Sequence, residues 1–244
     1  MSETDHRLEL VHRFFSGTGP TYDAMVHYAT LGIDGRWKRR IIDRLPPNPT
    51  RVLDLACGTG ISTFAIADRY PSCQVVGVEL RDEYLDIARQ KRRSLGLPNV
   101  EFVLSRAEDY RSEEPFDCVV SSYLAKYADL PRLTANAKEM LKDDGLLIMH
   151  DFTFPPHAAL VRIWRLYFWF MQRVAVKLYP SWREIYDGLP RLIEETRWIP
   201  ELTTALQNEG FQNIRLEYLT LYGSAIVTAN RPRHVMPAEA GIQS

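Results

Sequence analysis

The chain has 244 residues, 45% apolar and 25% charged, with 30 Lys and Arg against 31 Asp and Glu and a formal net charge of −1. A chain of this length buries a sizeable core, and so even a balance of charge argues against a nucleic-acid partner, which needs a concentrated basic surface. Cys57, Cys73 and Cys118 form no C-x-x-C pair and have no histidine cluster beside them, which argues against a disulfide framework and a metal site and suits reduced thiols in a cytoplasmic protein.

The polar first nine residues cannot act as the apolar core of a secretory signal. Residues 7–45 read as helical pieces broken by Ser16-Gly17-Thr18-Gly19-Pro20 and again at Gly32–Gly35. Pro46-Pro47-Asn48-Pro49 then stops the helix and leads into a strand. From residue 51 short apolar runs alternate with helical patterns: strands over 51–56, 74–79, 100–104, 117–121 and 145–151, and helices over 61–70, 82–95 and 130–141. That alternation predicts an α/β fold, a Rossmann-like, doubly wound, mostly parallel sheet of seven strands. Runs at 214–220 and 224–229, separated by Leu221-Tyr222-Gly223, read as a C-terminal antiparallel hairpin at its edge. Residues 1–230 then make a single domain: a helical N-terminal cap (1–50), a cofactor-binding core (51–152), an aromatic-rich helical lid (153–210) and closing strands (211–230). The tail, 231–244, lacks apolar periodicity and is expected to be disordered.

The central signal is Val52-Leu53-Asp54-Leu55-Ala56-Cys57-Gly58-Thr59-Gly60, an apolar strand running into a glycine turn ahead of a helix. Glycines there let backbone approach a ligand, and the helix start offers free N–H groups. A lone G-x-G is by itself only a tight turn. Glu79 adds to it, closing the next strand where a carboxylate accepts both hydroxyls of a ribose. A nicotinamide cofactor uses the same unit but wants a third glycine where this chain has Thr63, and Asp54 ahead of the loop would repel its diphosphate. Both residues favour S-adenosylmethionine, whose ammonium group Asp54 suits.

This segment resembles the first motif of class I methyltransferases. A longer stretch, roughly 14–228, resembles the ubiquinone/menaquinone biosynthesis C-methyltransferase family. The likeness runs through Gly19-Pro20-Thr21-Tyr22-Asp23, Leu31-Gly32-Ile33-Asp34-Gly35-Arg36-Trp37, the sheet, Asp151-Phe152-Thr153-Phe154-Pro155 and Gly210-Phe211-Gln212-Asn213-Ile214. The resemblance implies S-adenosylmethionine as cofactor, with Asp54, Ala56, Gly58 and Gly60 around its methionine end, Glu79 on the ribose and Leu80 against the adenine. It places Ser121 and Ser122 by the sulfonium. Where the family carries an Asp-Ala pair beside the adenine amine, this chain has Arg106-Ala107, leaving the backbone N–H of Ala107 to serve the ring. The family also has an Arg-Asn pair after the fourth strand, thought to support proton removal, and here those positions are Ala125-Lys126. The acceptor or its activation therefore departs from the family pattern.

Candidates for chemistry near the strand ends are Tyr22, Tyr123, Lys126, His150 and Asp151. Tyr22 serves either chemistry or closure of the cofactor pocket, and His150 suits packing better. Asp151, at the carboxyl edge of the sheet where such folds bind ligands, is the expected base. Between 155 and 179 a helix would carry Arg162, Arg165, Gln172, Arg173 and Lys177 along one side and aromatic and aliphatic residues over most of the rest. Each cation would cost roughly 2.5–3.5 kcal/mol at a bilayer centre, so this is no membrane span. It reads as a lid that also walls a pocket for a lipophilic small-molecule acceptor, while its basic stripe would suit peripheral contact with anionic lipid. Tyr179, Trp182, Tyr186 and Trp198 extend the aromatic character. Methyl transfer to a quinone-like or phenolic molecule, without a metal, is the leading expectation. Transfer to another acceptor such as a phospholipid amine, an NAD-dependent oxidoreductase, and a cofactor-binding domain without catalysis stay open at this point.

Overall fold

A computed structural model describes residues 3–233, with side chains from 7 onward. Seven strands form one sheet in the order β3-β2-β1-β4-β5-β7-β6. They are β1 (Arg51–Leu55), β2 (Gln74–Glu79), β3 (Val100–Leu104), β4 (Phe116–Ser122), β5 (Leu141–Phe152), β6 (Gln212–Leu219) and β7 (Ser224–Asn230). The first five run parallel. β7 is antiparallel and inserts between β5 and the edge strand β6, so the C-terminal hairpin extends the sheet as expected.

The parallel strands are apolar nearly throughout because helices cover both faces. Leu53, Val76, Val119 and Leu147 pack on one side with α6 (Leu130–Met140) and α10 (Trp198–Asn208). Val52, Val75, Cys118 and Ile148 pack on the other with α3 (Asp34–Ile42) and α4 (Ile61–Arg69). α5 (Asp82–Leu95) ends at Gly96, whose left-handed φ of +63° closes the helix. β5 starts at Leu141, earlier than its apolar run predicts, and shows a register irregularity against β4.

A third cluster caps the carboxyl ends of the strands. It joins Phe14 of α1 (Glu3–Phe15) and Met25 of α2 (Tyr22–Ala29) to Met171, Trp182, Ile185 and Tyr186. The last four lie in a segment running from α7 (Ala158–Phe170) through a π-helical turn, Met171–Ala175, and α8 (Val176–Leu178) to α9 (Arg183–Glu195). The expected lid boundary at 210 needs correction, because α10 belongs to the sheet layer. Trp198 is buried there, its indole N–H donating to the Phe152 carbonyl at 2.8 Å, and it lines neither cavity described below. The expected disordered tail lies outside the described residues from 234. Residues 231–233 are tied to β5, with Arg231 N donating to the Gly145 carbonyl and the Arg233 guanidinium on Asp144.

Candidate active site

The β1–α4 loop is built for close approach. Ala56, Gly58 and Gly60 all have left-handed backbone, φ +55°, +59° and +87°. At Gly60, the residue before α4, a Cβ would stand 2.6 Å from the Phe64 ring, so only glycine fits. Glu79, at the end of β2, braces this loop: its Oε2 accepts from Gly58 N at 2.9 Å and its Oε1 from Arg81 N at 2.9 Å. Burial pushes its carboxyl above the usual carboxylate range, against those backbone hydrogen bonds. Thr59 donates to Asp23 at 2.5 Å, and Gly17 and Gly19 donate to the Glu83 carboxylate, so α2 and the turn before it are moored to the cofactor loop and α5.

A cleft opens beside β1, where the order of the strands reverses, the usual ligand position in such sheets. It is lined by Ala56, Gly58, Glu79, Leu80, Arg106, Ala107, Ser122 and Tyr22, all singled out in the sequence. Glu108 and Tyr84 also line it. Glu108 anchors Arg106, whose Nε donates to it at 3.1 Å, and Tyr84 shares a 2.5 Å hydrogen bond with Thr18. A carboxylate at the end of β2, apolar Leu80 and Ala107 beyond it, and the turn at Ala56 and Gly58 together fit an adenosine joined to an amino acid. The cleft encloses about 110 Å³ beneath Leu8, Val11 and Phe15 of α1, below the roughly 300 Å³ of an ordinary small-molecule site.

Three expected cofactor contacts do not reach the cleft surface. Asp54 is buried behind the loop, and its Oδ2 accepts from the Thr63 hydroxyl at 2.7 Å. Burial raises its carboxyl to about 7, with Thr63 pulling the other way. Thr63, standing where a dinucleotide site wants glycine, is thus the partner of Asp54. Ser121 points inward and donates to the Leu55 carbonyl at 2.8 Å, and Gly60 acts through its backbone turn.

Beyond the cleft lies a second cavity of about 370 Å³, walled by Met25, Ile33, Phe152, Trp164, Phe168 and Trp182 among other apolar side chains. Phe15, Tyr22, Tyr123 and Tyr127 line both spaces, so the cleft and the cavity adjoin at these four aromatic side chains. Tyr22 is stacked on Trp182 at 6.0 Å between ring centres. Burial, reinforced by neighbouring phenols and carboxylates, keeps the Tyr22 hydroxyl protonated well above its ordinary range.

Lys126 lines the apolar cavity, whereas Asp151 lines neither space. The Asp151 carboxylate accepts from Lys126 Nζ at 2.5 Å, Lys126 N at 3.1 Å and Phe152 N at 2.7 Å, and is fully buried. The expected role of Asp151 as the base is therefore corrected: its oxygens are committed to Lys126 and the backbone, and of the pair it is Lys126 that lines the cavity. Burial lowers the Lys126 pKa, and Asp151 opposes that shift. His150 is packed between the Trp37 and Tyr123 rings, with Nδ1 on Ser122 Oγ at 2.8 Å; burial holds it neutral. The sequence reading missed Asp34 and Lys38 as site residues. Lys38 Nζ lies 2.6 and 2.7 Å from the two Asp34 oxygens, and the Tyr123 hydroxyl donates to Asp34 at 2.5 Å. An acidic residue four positions before a lysine at the start of a helix was the available signal.

The sheet order, with β7 antiparallel between β5 and β6, is that of the class I methyltransferase fold. Two solved methyltransferases share the architecture. Phosphoethanolamine N-methyltransferase 2 of Haemonchus contortus, bound to phosphomonomethylethanolamine and S-adenosylhomocysteine, superposes with a TM-score of 0.61 at 17% identity, over 81% of this chain and 53% of that one. Geranyl diphosphate C-methyltransferase of Streptomyces coelicolor, bound to S-adenosylhomocysteine, gives 0.58 at 15% identity, over 81% and 79%. Residues 1–230 match the ubiE/COQ5 methyltransferase family, and the chain belongs to that family. It is 31% identical to a demethylmenaquinone methyltransferase of Thermus thermophilus, over 89% of this chain and all of the relative. It is 27% identical to one of Chlorobaculum tepidum, over 90% and 91%. The chain is therefore an S-adenosylmethionine-dependent methyltransferase, which closes the nicotinamide reading.

Proposed function

We propose that the protein methylates a lipophilic, quinol-like or phenolic small molecule held in the apolar cavity. The observation that carries this is adjacency: Phe15, Tyr22, Tyr123 and Tyr127 line both the cofactor cleft and the cavity, so the two spaces meet at these side chains. A flat ring at that junction, between these side chains rather than behind them, would meet the cofactor's reactive end, and aromatic side chains suit such rings. The relatives' names, demethylmenaquinone methyltransferase, point to the same class of acceptor.

The cofactor supplies an activated methyl group on a sulfonium. The protein has to align the nucleophile and stabilise the negative charge left on the ring oxygen once the hydroxyl proton has passed to solvent. Lys126 is placed for the second task. Its ammonium is buried, is held by Asp151 and by the Tyr123 carbonyl at 3.0 Å, and sits among the rings of Tyr123, Tyr127 and Phe152. A cation in so dry a setting acts strongly on an oxyanion. Ala125-Lys126 thus keeps a basic residue where the family pattern has an Arg-Asn pair, one position further along.

The exposed side of the lid carries a second reading. α7 buries none of its residues, and Ile163, Leu166, Trp169 and Phe170 are each at least half exposed beside Arg162 and Arg165. No helix among the described residues is long and apolar enough to cross a membrane. An apolar face edged with cations suits the surface of an anionic bilayer. Leu31, Ile163 and Leu221 also line the cavity, so its mouth would open onto the lipid.

The deciding assay incubates the protein with S-adenosylmethionine and a short-chain naphthoquinol kept reduced, with ethanolamine phospholipid in parallel. A singly methylated quinol is expected. Methylation of the amine alone would assign the cavity to a different acceptor.

A further inference from the structure

Several polar tips of the cavity wall are held by protein partners. The indole N–H of Trp37 donates to Thr220 at 2.8 Å and that of Trp182 to Thr21 at 2.8 Å. The hydroxyls of Tyr167 and Tyr186 donate to the Ala29 carbonyl and to Met25 Sδ. Tyr123, which like Tyr22 and Tyr127 lines both the cleft and the cavity, differs in that its hydroxyl proton is committed to a carboxylate, that of Asp34.

That carboxylate is itself immobilised. Asp34 stands in the first turn of α3, where the helix dipole favours an anion, and both of its oxygens hold the Lys38 ammonium. The ring of Tyr123 is also fixed: it stacks on Phe152 at 4.6 Å and 18°, with Lys38 Nζ 5.2 Å from its centre. Its backbone sits at φ +68°, where bulky side chains are rare. A tyrosine held in a conformation that favours glycine, with its ring and hydroxyl both anchored, indicates that the side chain is needed at this spot. Because its one proton points at Asp34, its oxygen can only accept a further hydrogen bond.

We propose that the Tyr123 hydroxyl accepts the hydrogen bond of the acceptor's ring hydroxyl and thereby sets which atom of the ring meets the methyl donor, with Asp34 and Lys38 as positioning residues. Tyr123 then discriminates for molecules that bring a donor to the buried end of the cavity, while the apolar remainder extends toward the mouth. The inference rests on reading the cavity as the acceptor site.

Its test is calorimetric binding of 1-naphthol and 1-methoxynaphthalene in the presence of S-adenosylhomocysteine. The two probes differ in the hydrogen-bond donor and are otherwise of similar shape. Wild-type protein should prefer 1-naphthol by about three- to tenfold, the worth of one hydrogen bond. In Tyr123→Phe, checked for folding by its melting temperature, that preference should fall to near one with 1-methoxynaphthalene affinity unchanged. An equal preference in the two proteins overturns the assignment of Tyr123, as does a wild type with no preference, a result that does not depend on the variant folding. If neither naphthalene binds, the cavity is not the acceptor site, and the inference falls with that reading.

Discussion

Lys126 Nζ and Asp151 Oδ1 meet at 2.5 Å with both side chains almost completely buried, at 2% and 0% exposure. Such a pair contributes little net stability relative to apolar residues of the same size, because taking two charges from water costs about as much as their attraction returns. Breaking it from one side is another matter. Asp151→Asn leaves an ammonium in an aromatic enclosure and should destabilise the fold by about 3–5 kcal/mol. Lys126→Met removes the charge and fills its volume, but leaves Asp151 with only its backbone donors.

The two substitutions also separate the roles. Lys126→Met paired with Asp151→Asn removes both charges, so it should recover much of the stability lost in the single variants while transfer to a quinol stays low. Urea unfolding alongside a single-turnover assay reads both quantities. Recovery of turnover together with stability would show that the ammonium is structural only.

Glu79 gives the most direct test of the cofactor site. It is a cleft-lining carboxylate whose two oxygens already hold Gly58 N and Arg81 N, so it shapes the loop as well as offering oxygens to a ribose. Glu79→Ala should weaken S-adenosylhomocysteine binding at least tenfold, because hydrogen bonds to a charged group are worth roughly 1.5–3 kcal/mol each. Glu79→Gln should fall between. Calorimetry that finds all three proteins equal would move the ribose elsewhere.

The cofactor half of the site can be read from local pattern because it is made locally. Asp54, Gly58 and Gly60 lie in one strand–turn–helix, and Glu79 ends the adjacent strand. What pattern cannot show is where a side chain points. Asp54 turns inward to Thr63 rather than toward the cleft, a choice made by the packing behind the loop. The same limit applies to β5, whose first residues, Leu141-Lys142-Asp143-Asp144, resemble a turn before Gly145 and join the sheet only through pairing with Phe116. The acceptor half is assembled from distant pieces. Asp34 meets Tyr123 across 89 positions of sequence, and the spacing of Asp34 and Lys38 by itself reads only as an ion pair within one helix. Asp151 was rightly placed at the carboxyl edge of the sheet. Its direction into Lys126 needed three dimensions.

Asp54 should also make stability depend on pH. Its carboxyl is raised to about 7 by burial, against an ordinary value near 4. Between those values the folded state binds more protons than the unfolded one, so this group's contribution declines as pH rises through that window. The slope is at most about 1.4 kcal/mol per pH unit. Urea unfolding of wild type and Asp54→Asn from pH 4 to pH 8 isolates it, since Glu79 and all other groups are common to both proteins. The advantage of wild type over the variant should shrink toward neutral pH and level off above about 7. A difference that does not change with pH would mean that Asp54 titrates normally despite its burial.

The lid face can be tested without knowing the acceptor. Trp169 and Phe170 are half exposed on α7, and Arg173 lies over the Trp169 ring with its guanidinium carbon 5.4 Å from the ring centre. Arg165 already pairs with Glu194 at 3.1 Å, so Arg162, Arg173 and Lys177 are the cations better placed to meet phosphate. Each basic residue near an anionic surface is worth about 1 kcal/mol, so three should give binding that salt weakens. The protein should therefore co-sediment with phosphatidylglycerol vesicles at low salt and less so at high salt, and should ignore phosphatidylcholine vesicles. Charge reversal of the three cations to Glu should leave it in the supernatant while S-adenosylhomocysteine affinity is retained. Trp169 fluorescence should shift to the blue only where sedimentation occurs, because burial of the ring in the interface accompanies docking. Equal partition onto neutral and anionic vesicles would assign the attraction to the apolar side chains alone, and no partition at all would leave this face without a lipid partner.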